Sequence, residues 1–338
     1  MNDGIRFGGK RIAAFVAVSA AVAALTACGA DSDTAAGATP ADGPVPLSIT
    51  TLGLCNEMPV YWAQDKGLFS EHGLEVELIK SQGGAAGLSA LQSGEVDLAF
   101  SNPFSTMRAI DQGIGLKWIA TAYETPVDET NKANSVAVKN GSPFTDAKSL
   151  EGKKIGVNEI AGINQIVTSE WMRVNGADPS TVEFVALPFA DLGPAVSTGR
   201  IDAAQITEAN MLPELDLVSL GNPYVTAGGG EPLVFSGYVA TEKTSTTKPA
   251  ALEAFQAALI ESVEQLEAPE NHEERYEVQS ASCKQDAEQL KSLTEPPYAA
   301  TVNVAALDRM GELLKREGIL DNPPAAESYV ADFAVVAE

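Results

Sequence analysis

Two glycine-containing turns have the composition of anion-binding helix starts. Gly83-Gly84-Ala85 and Gly162-Ile163-Asn164 each stand before a segment with helical spacing. Small residues at the start of a helix leave backbone N–H groups accessible, and the positive end of the helix dipole favours negative charge. Two such turns facing one cleft could bind a small oxyanion without an arginine. The alternative is that both are tight turns without a ligand.

Polar, acidic and aromatic residues follow the other predicted strands. Ligands of open α/β sheets bind outside the carboxyl ends of the strands, so these residues are candidate ligand contacts. They are Asn56, Glu57, Ser101, Asn102, Tyr123, Asn158, Phe189 and Glu208. The hydroxyl and amide groups suit a sulfonate or nitrate, whereas carboxylates near aromatic rings suit an amine or an aminopyrimidine. None of these turns contains Lys or Arg, and both ligand classes stay open.

Catalytic and metal-binding groups are sparse. The chain has two histidines and three cysteines among 338 residues, too few for a Cys/His zinc cluster, and nothing at fixed spacing suggests a nucleophile elbow. The formal net charge of −24 repels phosphate backbones, so a nucleic-acid partner is not expected. We therefore predict a binding protein with no catalytic residues, no metal and no cofactor.

The amino-terminal segment has the pattern of an export signal. A basic stretch precedes an apolar run, Ile12 to Leu25, which is shorter than the roughly 20 residues of a membrane-spanning helix. Residues 25–29, Leu-Thr-Ala-Cys-Gly, resemble a bacterial lipobox, which implies removal of residues 1–27 and acylation of Cys28. A plain signal peptide is the alternative. Residues 28–46 are predicted to be a flexible tether, so we expect a lipid-anchored protein on the extracytoplasmic face of the cell membrane.

The other two cysteines, Cys55 and Cys283, would then lie in an oxidising compartment. A disulfide between them would join the start of the folded domain to its carboxyl-terminal part. Two buried free thiols are an equal alternative from the sequence alone.

Short apolar strands alternate with amphipathic helices from residue 47 onward, which is typical of α/β architecture. The predicted strands are 47–52, 74–79, 96–100, 118–122, 154–157, 182–187 and 201–206. The predicted helices are 59–69, 86–92, 164–174 and 191–198, and residues 249–318 are predicted to be largely helical. Leu91-Gln-Ser-Gly-Glu-Val-Asp-Leu-Ala99 parallels Val196-Ser-Thr-Gly-Arg-Ile-Asp-Ala-Ala204, and this repeat favours two similar lobes over one large sheet.

Six motifs occur in the order found in one known family. They are Pro59-x-Tyr-Trp-Ala-x-Asp-Lys-Gly-Leu-Phe69, Gly73-Leu-Glu-Val-Glu77, Leu91-x-Ser-Gly-Glu-Val-Asp97, Leu150-Glu-Gly-Lys-Lys-Ile-Gly156, Leu187-Pro-x-x-Asp-Leu192 and Gly199-Arg-Ile-Asp-Ala203, the last followed by Glu208. With these motifs, the chain from about residue 47 to 320 resembles the substrate-binding lipoproteins of ABC importers that handle nitrate, sulfonates, taurine and pyrimidine precursors of thiamine.

The resemblance implies an α/β fold of the two-lobed type II periplasmic-binding-protein kind, with a hinge and a ligand cleft between the lobes. Lobe 1 is expected to combine residues 47–123 and 239–338, and lobe 2 to be residues 124–238. A monomer of this kind captures a small molecule by lobe closure and delivers it to an ABC permease with ATPase subunits. The usual proline after Glu208 is Ala209 here, which leaves the ligand's identity open.

Two other functions fit the same fold. A ligand-sensing lipoprotein would have the same sequence features. Fungal relatives of this fold make the thiamine pyrimidine with a cysteine-rich motif and a histidine reactant. Cys55 and Cys283 stand isolated in this chain, so catalysis is not expected.

Overall fold

A computed structural model describes residues 43–128, 130–294 and 297–337. The predicted signal peptide, Cys28 and most of the predicted tether lie outside the described residues. Within the described ranges, no helix combines the length and the apolar character needed to cross a membrane.

Short strands alternate with helices along the chain. The strands are β1 (Val45–Thr51), β2 (Leu74–Lys80), β3 (Ala99–Ser101), β4 (Leu116–Glu124), β5 (Asn134–Lys139), β6 (Lys154–Val157), β7 (Glu183–Ala186), β8 (Ala203–Thr207), β9 (Leu217–Ser219) and β10 (Val234–Thr241). The helices are α1 (Met58–Asp65), α2 (Leu68–Glu71), α3 (Gly84–Ser93), α4 (Pro103–Asp111), α5 (Ile163–Val174), α6 (Phe189–Ser197), α7 (Pro223–Gly228), α8 (Glu242–Thr247), α9 (Pro249–Glu267), α10 (His272–Cys283), α11 (Ala287–Leu290), α12 (Val304–Arg316) and α13 (Ala326–Tyr329).

The strands form two sheet regions with the same plan. In the first, β1 pairs in parallel with β2, a parallel bridge from Ile49 to Leu98 joins β1 to the start of β3, and β10 pairs antiparallel with β3 and β4. In the second, the order is β7-β6-β8-β5-β9, with β6 parallel to β7 and β8 and with β5 antiparallel to β8 and β9. In each region, three parallel strands are followed by an antiparallel strand, β10 or β5, that comes from the other region, and a fifth strand, β4 or β9, lies beyond it.

The chain passes between the sheets twice, through residues 125–133 and back through residues 220–233. The return passage contains α7 and the glycine run that follows it, where Gly229 and Gly230 have φ angles of 62° and 95° that glycine adopts without strain. Strand β10 already pairs with β4 from Val234, earlier than the predicted re-entry into lobe 1 at residue 239. The exact lobe boundaries stay a prediction.

The repeated sequence motif has the same structural role in both sheets. Its glycine follows a helix with positive φ, 75° in the first copy and 73° in the second. Its aspartate then binds a backbone N–H on the central parallel strand: Asp97 accepts from Ser48 at 3.2 Å, and Asp202 accepts from Lys154 at 2.9 Å. Each carboxylate therefore ties the turn before the third parallel strand to the central parallel strand of its own sheet.

Apolar side chains cover both faces of the first sheet. Successive residues of β4 point to opposite faces, so Trp118 packs with one core cluster and Ile119 with the other. Helix α1 contributes Trp62 to the second cluster, where the indole N–H donates to Gln265 at 3.0 Å. The second sheet has its own two clusters, which contain Trp171 and Leu192.

The secondary-structure prediction was wrong in one helix, and it missed several strands as well as helices α4, α7, α8 and α13. The predicted helix 59–69 is two helices, because Gly67 has a φ of 74° that ends one and begins the other. Strands β5, β9 and β10 were not predicted. Two of them, β5 and β10, are the antiparallel strands next to the crossings.

A disulfide joins Cys55, in the loop after β1, to Cys283 at the end of α10, and their Cα atoms are 5.0 Å apart. The bond links positions 228 residues apart in the sequence. It therefore fixes the loop after β1 against a helix that the chain forms much later.

We expect the double substitution Cys55→Ser and Cys283→Ser to lower the free energy of unfolding by about 2–5 kcal/mol, because the bond closes a long loop in the unfolded chain. Urea unfolding followed by tryptophan fluorescence measures this difference. A reductant should lower the wild-type midpoint and leave the double variant unchanged. Equal sensitivity of the two proteins to the reductant would contradict the expectation.

Candidate functional site

The candidate site is a cleft between the two sheets, where β1, β3, β6 and β8 end. It contains three adjoining pockets that all border Leu54, in the loop after β1. The inner pocket is lined by Asn102 and Asn164 among others, and the tyrosine pocket by Tyr123 and Tyr298 among others. The outer pocket contains the disulfide.

The inner pocket brings together the starts of four helices. Six of the predicted contacts line it, namely Gly84, Ser101, Asn102, Asn158, Asn164 and Phe189. All its other lining residues are uncharged, namely Leu52, Leu54, Phe100, Ile163, Phe235 and Ser236. Its polar groups are therefore hydroxyls, amides and backbone N–H groups.

Internal hydrogen bonds position the asparagines of the inner pocket. Asn102 caps α4 by accepting from the Ser105 N–H at 2.9 Å. Asn164 donates from Nδ2 to the Asn158 side-chain oxygen at 2.7 Å and accepts from the Tyr224 hydroxyl. These partners hold the polar side chains of each side of the pocket in a fixed orientation.

Gly84 permits a close approach between α3 and α4. A Cβ at this position would lie 3.0 Å from Asn102 Nδ2 and 3.2 Å from Ser101 Oγ, which is tighter than ordinary contact. Helix α5 begins without a side-chain cap after Gly162. Gly162 itself packs against the preceding turn, and the residues after it face the inner pocket.

Three aromatic rings form the floor between the inner and tyrosine pockets. The Phe235 ring lies between Tyr123 and Tyr224, with ring centroids 5.0 and 4.9 Å away. The Tyr123 hydroxyl accepts from Asn134 Nδ2 at 3.1 Å. Burial raises the pKa of both tyrosines, so the floor is neutral. We call Tyr123, Phe235 and Tyr224 the aromatic floor.

The tyrosine pocket contains the predicted contacts Asn56, Tyr123 and Glu208. The space inside this pocket and its open mouth together is about 590 Å³. Asn56 Oδ1 is buried and accepts no hydrogen bond from the described residues. It is therefore an acceptor that a solute could use.

Sequence reasoning missed several polar or aromatic residues of the tyrosine pocket, namely Arg275, Tyr276, Gln279, Thr294 and Tyr298. The Arg275 guanidinium lies 4.8 Å from the centre of the Tyr276 ring and donates to its hydroxyl at 3.0 Å. In the sequence, this part of α10 reads as a charged surface helix. Only the packing of α10 against α1 and the loop after β1 brings it to the cleft.

Hydrogen bonds cross the cleft at three places. Glu208 Oε2 accepts from the Thr294 N–H at 2.9 Å, at the edge of the tyrosine pocket. Arg108 Nη1 donates to the Ala161 carbonyl at 2.9 Å. On α5, the Glu170 carboxylate pairs with Arg316 of α12. The two sides of the cleft are thus bonded to each other in the structure.

Glu57 was predicted to contact the ligand, but its carboxylate points into the protein. The side chain is fully buried, and Oε1 accepts from the N–H groups of Leu52 at 3.0 Å and Leu54 at 2.9 Å. Burial raises the pKa of Glu57 to about 8, although these backbone bonds and the Lys80 charge oppose the rise. Glu57 therefore shapes the loop that carries Asn56 and does not line the three pockets.

The start of α3 faces a carboxylate from the other side of the cleft. Glu159 Oε2 lies 3.8 Å from the position that a Cβ on Gly83 would take. Ala85 lines a groove with Glu159 and Arg108 rather than the inner pocket. Burial raises the pKa of Glu159, while the Arg108 charge and the Ala85 N–H oppose the rise.

Metal ligands and histidines are not grouped in the described part of the chain. No set of three or more His, Cys, Asp or Glu side chains there could hold a metal ion. His72 forms a hydrogen bond with Glu261 at a distance of 2.9 Å. None of the three pockets has a histidine among its described lining residues.

Comparison with known proteins gives a family and a fold. A family model described as NMT1/THI5 like matches residues 55–271. A putative thiamine biosynthesis protein of Haemophilus influenzae is 28% identical over 141 residues, which is 42% of each chain. A 4-amino-5-hydroxymethyl-2-methylpyrimidine phosphate synthase of Saccharomyces cerevisiae is 27% identical over 169 residues, 49% of this chain and 47% of the yeast protein. The chain thus spans less than half the length of these curated relatives.

Solved structures with the same fold cover most of both chains. The aliphatic sulphonate binding protein SsuA of Escherichia coli has a TM-score of 0.68 and 17% identity, covering 86% of this chain and 98% of its own. The alkanesulfonate-binding protein SsuA of Xanthomonas axonopodis has a TM-score of 0.71 and 16% identity, covering 86% of this chain and 99% of its own. The nitrate-binding protein NrtA of Synechocystis has a TM-score of 0.65 and 15% identity, covering 84% of this chain and 84% of its own. The predicted two-lobed periplasmic-binding-protein fold is confirmed.

We expect Glu57 to make folding stability depend on pH. Its pKa is raised in the folded state from 4.5 to about 8, so the folded protein keeps a proton that the unfolded chain releases. The resulting stability is present below pH 4.5 and is lost as the pH rises towards 8. Urea midpoints of the wild type measured across this range should therefore contain a component that falls with rising pH.

The matched variant is Glu57→Gln, which keeps an oxygen acceptor for Leu52 and Leu54 but does not titrate. We expect its urea midpoint to lack that falling component. Parallel pH profiles for the two proteins would show that Glu57 does not cause the dependence.

Proposed function

The chain belongs to the NMT1/THI5-like family, and from this membership and its cleft we propose that it is the extracytoplasmic solute-binding component of an ABC importer. The fold it shares with solute-binding proteins, the cleft between two bonded sides and the polar groups held ready in that cleft support this proposal. In this proposal, a monomer anchored through Cys28 captures a solute and presents it to a permease with ATPase subunits.

The tyrosine pocket favours an aminopyrimidine-like solute. We base the choice of this solute class on the residues that line the pocket. A flat aminopyrimidine ring suits the Tyr123 and Tyr298 side chains, and its amino group suits an oxygen acceptor. Asn56 Oδ1 is a buried acceptor without a described donor, and the Glu208 carboxylate lies in the same pocket. The printed names of the curated relatives, which concern thiamine and its pyrimidine, support the same choice.

Lobe closure would follow from contacts that both sides make around the solute. Glu208 belongs to the segment after β8, and it already bonds to the Thr294 N–H across the cleft. A solute that touches Glu208 and Asn56 together gains contacts only when the two sides are close. Such a solute stabilises the closed form by its differential affinity.

A sulfonate or nitrate is the second candidate solute. The names of the structural neighbours point to these oxyanions, and the inner pocket offers them Ser101, Asn102 and the uncapped start of α5. No lysine or arginine is among the described residues that line this pocket. We therefore rank the oxyanion below the aminopyrimidine.

We propose binding rather than catalysis, although several curated relatives are named as synthases. Cys55 and Cys283, which line the outer pocket, are bonded to each other. The inner-pocket asparagines are hydrogen-bonded to partners that hold them as positioning groups. Neither observation offers a nucleophile with a base beside it.

Thermal unfolding of the full chain with single solutes tests the proposal. We expect 4-amino-5-hydroxymethyl-2-methylpyrimidine to raise the melting temperature by mass action, and methanesulfonate and nitrate to leave it unchanged. A shift with the oxyanions alone would replace the aminopyrimidine by the second candidate. No shift with any of the three would contradict the proposed solute classes.

We expect Glu208→Gln to weaken aminopyrimidine binding about tenfold, because a charge-assisted hydrogen bond becomes a neutral one. The glutamine keeps an oxygen for the Thr294 N–H, so the contact across the cleft is preserved. Isothermal titration compares this variant with Glu214→Gln, an exposed position with the same loss of charge. Equal affinities for both variants would exclude Glu208 from the solute site.

A further inference from the structure

The Glu159 carboxylate lies at a position that could otherwise receive an anionic solute. Its Oε2 atom is buried, accepts no hydrogen bond from the described residues and lies 3.8 Å from the Cβ position of Gly83. The Ala85 N–H, in the first turn of α3, is close enough to favour the charged form of this carboxylate. Because α3 has no side-chain cap of its own, its positive end faces the carboxylate of Glu159.

The turn that carries Glu159 is held rigidly from both sides. Ala161 has a φ of 56°, which costs free energy for a residue other than glycine and needs support from its surroundings. That support comes from two hydrogen bonds: its N–H donates to Gln165 Oε1 at 2.8 Å, and its carbonyl accepts from Arg108 at 2.9 Å. A Cβ on Gly162 would lie 3.0 Å from the Glu159 Cβ, so the turn needs a glycine to fold this closely on itself.

We propose that Glu159 is a specificity-determining residue whose carboxylate fills the anion position at the start of α3 and selects against anionic solutes in the cleft. The inference rests on the proposed solute-binding function and adds the charge class of the excluded solutes. Glu159 comes from the second sheet and α3 from the first, so the selecting charge reaches its position only when the two sides are together.

The physical reason is competition between like charges for one set of donors. The Arg108 guanidinium and the first turn of α3 both attract negative charge, and Glu159 already supplies a carboxylate there. A sulfonate entering the neighbouring inner pocket would therefore find these positive groups already paired with a carboxylate of the protein. A neutral aminopyrimidine pays no such penalty.

The test compares anion binding by the wild type, Glu159→Gln and Glu95→Gln, all as the full chain. Glutamine keeps the shape of residue 159 and removes its charge, while Glu95 is an exposed residue that controls for the change in net charge. Isothermal titration with methanesulfonate, and separately with nitrate, is done in Tris–chloride buffer at fixed ionic strength. A sulfonate buffer would compete for the same position.

We expect Glu159→Gln to bind methanesulfonate about tenfold more tightly than the wild type, and Glu95→Gln to match the wild type. Equal binding by all three proteins, or tighter binding by the wild type, would overturn the proposal. If the Glu159→Gln variant does not fold, the wild type alone still tests the proposal. A dissociation constant for methanesulfonate below about 1 mM in the wild type would overturn the proposal.

Aminopyrimidine titration of the same three proteins separates this inference from the proposed function. If none of them binds the aminopyrimidine while Glu159→Gln gains methanesulfonate binding, the proposed solute class fails and the role of Glu159 stands. If all three bind the aminopyrimidine and none gains anion binding, the proposed function stands and the role of Glu159 is refuted.

Discussion

The packing of Phe235 between Tyr123 and Tyr224 fixes where the two sheets meet. Tyr224 comes from the return crossing, Tyr123 and Phe235 come from the adjoining strands β4 and β10, and all three rings are buried. Because the parallel strands of each sheet end next to this aromatic floor, the starts of α3, α4, α5 and α6 converge on one cleft. The position of the site is therefore a consequence of how the chain crosses between the sheets.

The acidic residues of the cleft are used in contacts between its two sides. Glu208 binds the Thr294 N–H, and Glu159 faces the start of α3 near Arg108. Of the two helix starts predicted to bind an anion, the start of α3 therefore already faces a carboxylate of the protein, that of Glu159. The other position, at α5, opens on an inner pocket whose described lining is uncharged. This distribution of charge is why the aminopyrimidine ranks above the oxyanion.

Local sequence patterns predicted the fold and much of the inner pocket, because both depend on short-range features. The glycine–aspartate repeat marks the same turn in each sheet, and polar residues after strands converge as the topology requires. Arg275 and Tyr298 were missed because the disulfide and the packing of the carboxyl-terminal helices bring them to the loop after β1. Glu57 was predicted to contact the ligand, but its carboxylate accepts hydrogen bonds from the backbone N–H groups of Leu52 and Leu54 in its own loop. The residue type alone does not show that these N–H groups need a side-chain acceptor.

A crystal structure of the protein grown with 4-amino-5-hydroxymethyl-2-methylpyrimidine tests the central claim most directly, since it shows both where the solute lies and whether it is intact. The predicted result is an unaltered pyrimidine ring between Tyr123 and Tyr298, with its amino group bonded to Asn56 or Glu208. A ring bound outside the cleft, or a chemically altered one inside it, would contradict a solute-binding protein that uses the tyrosine pocket.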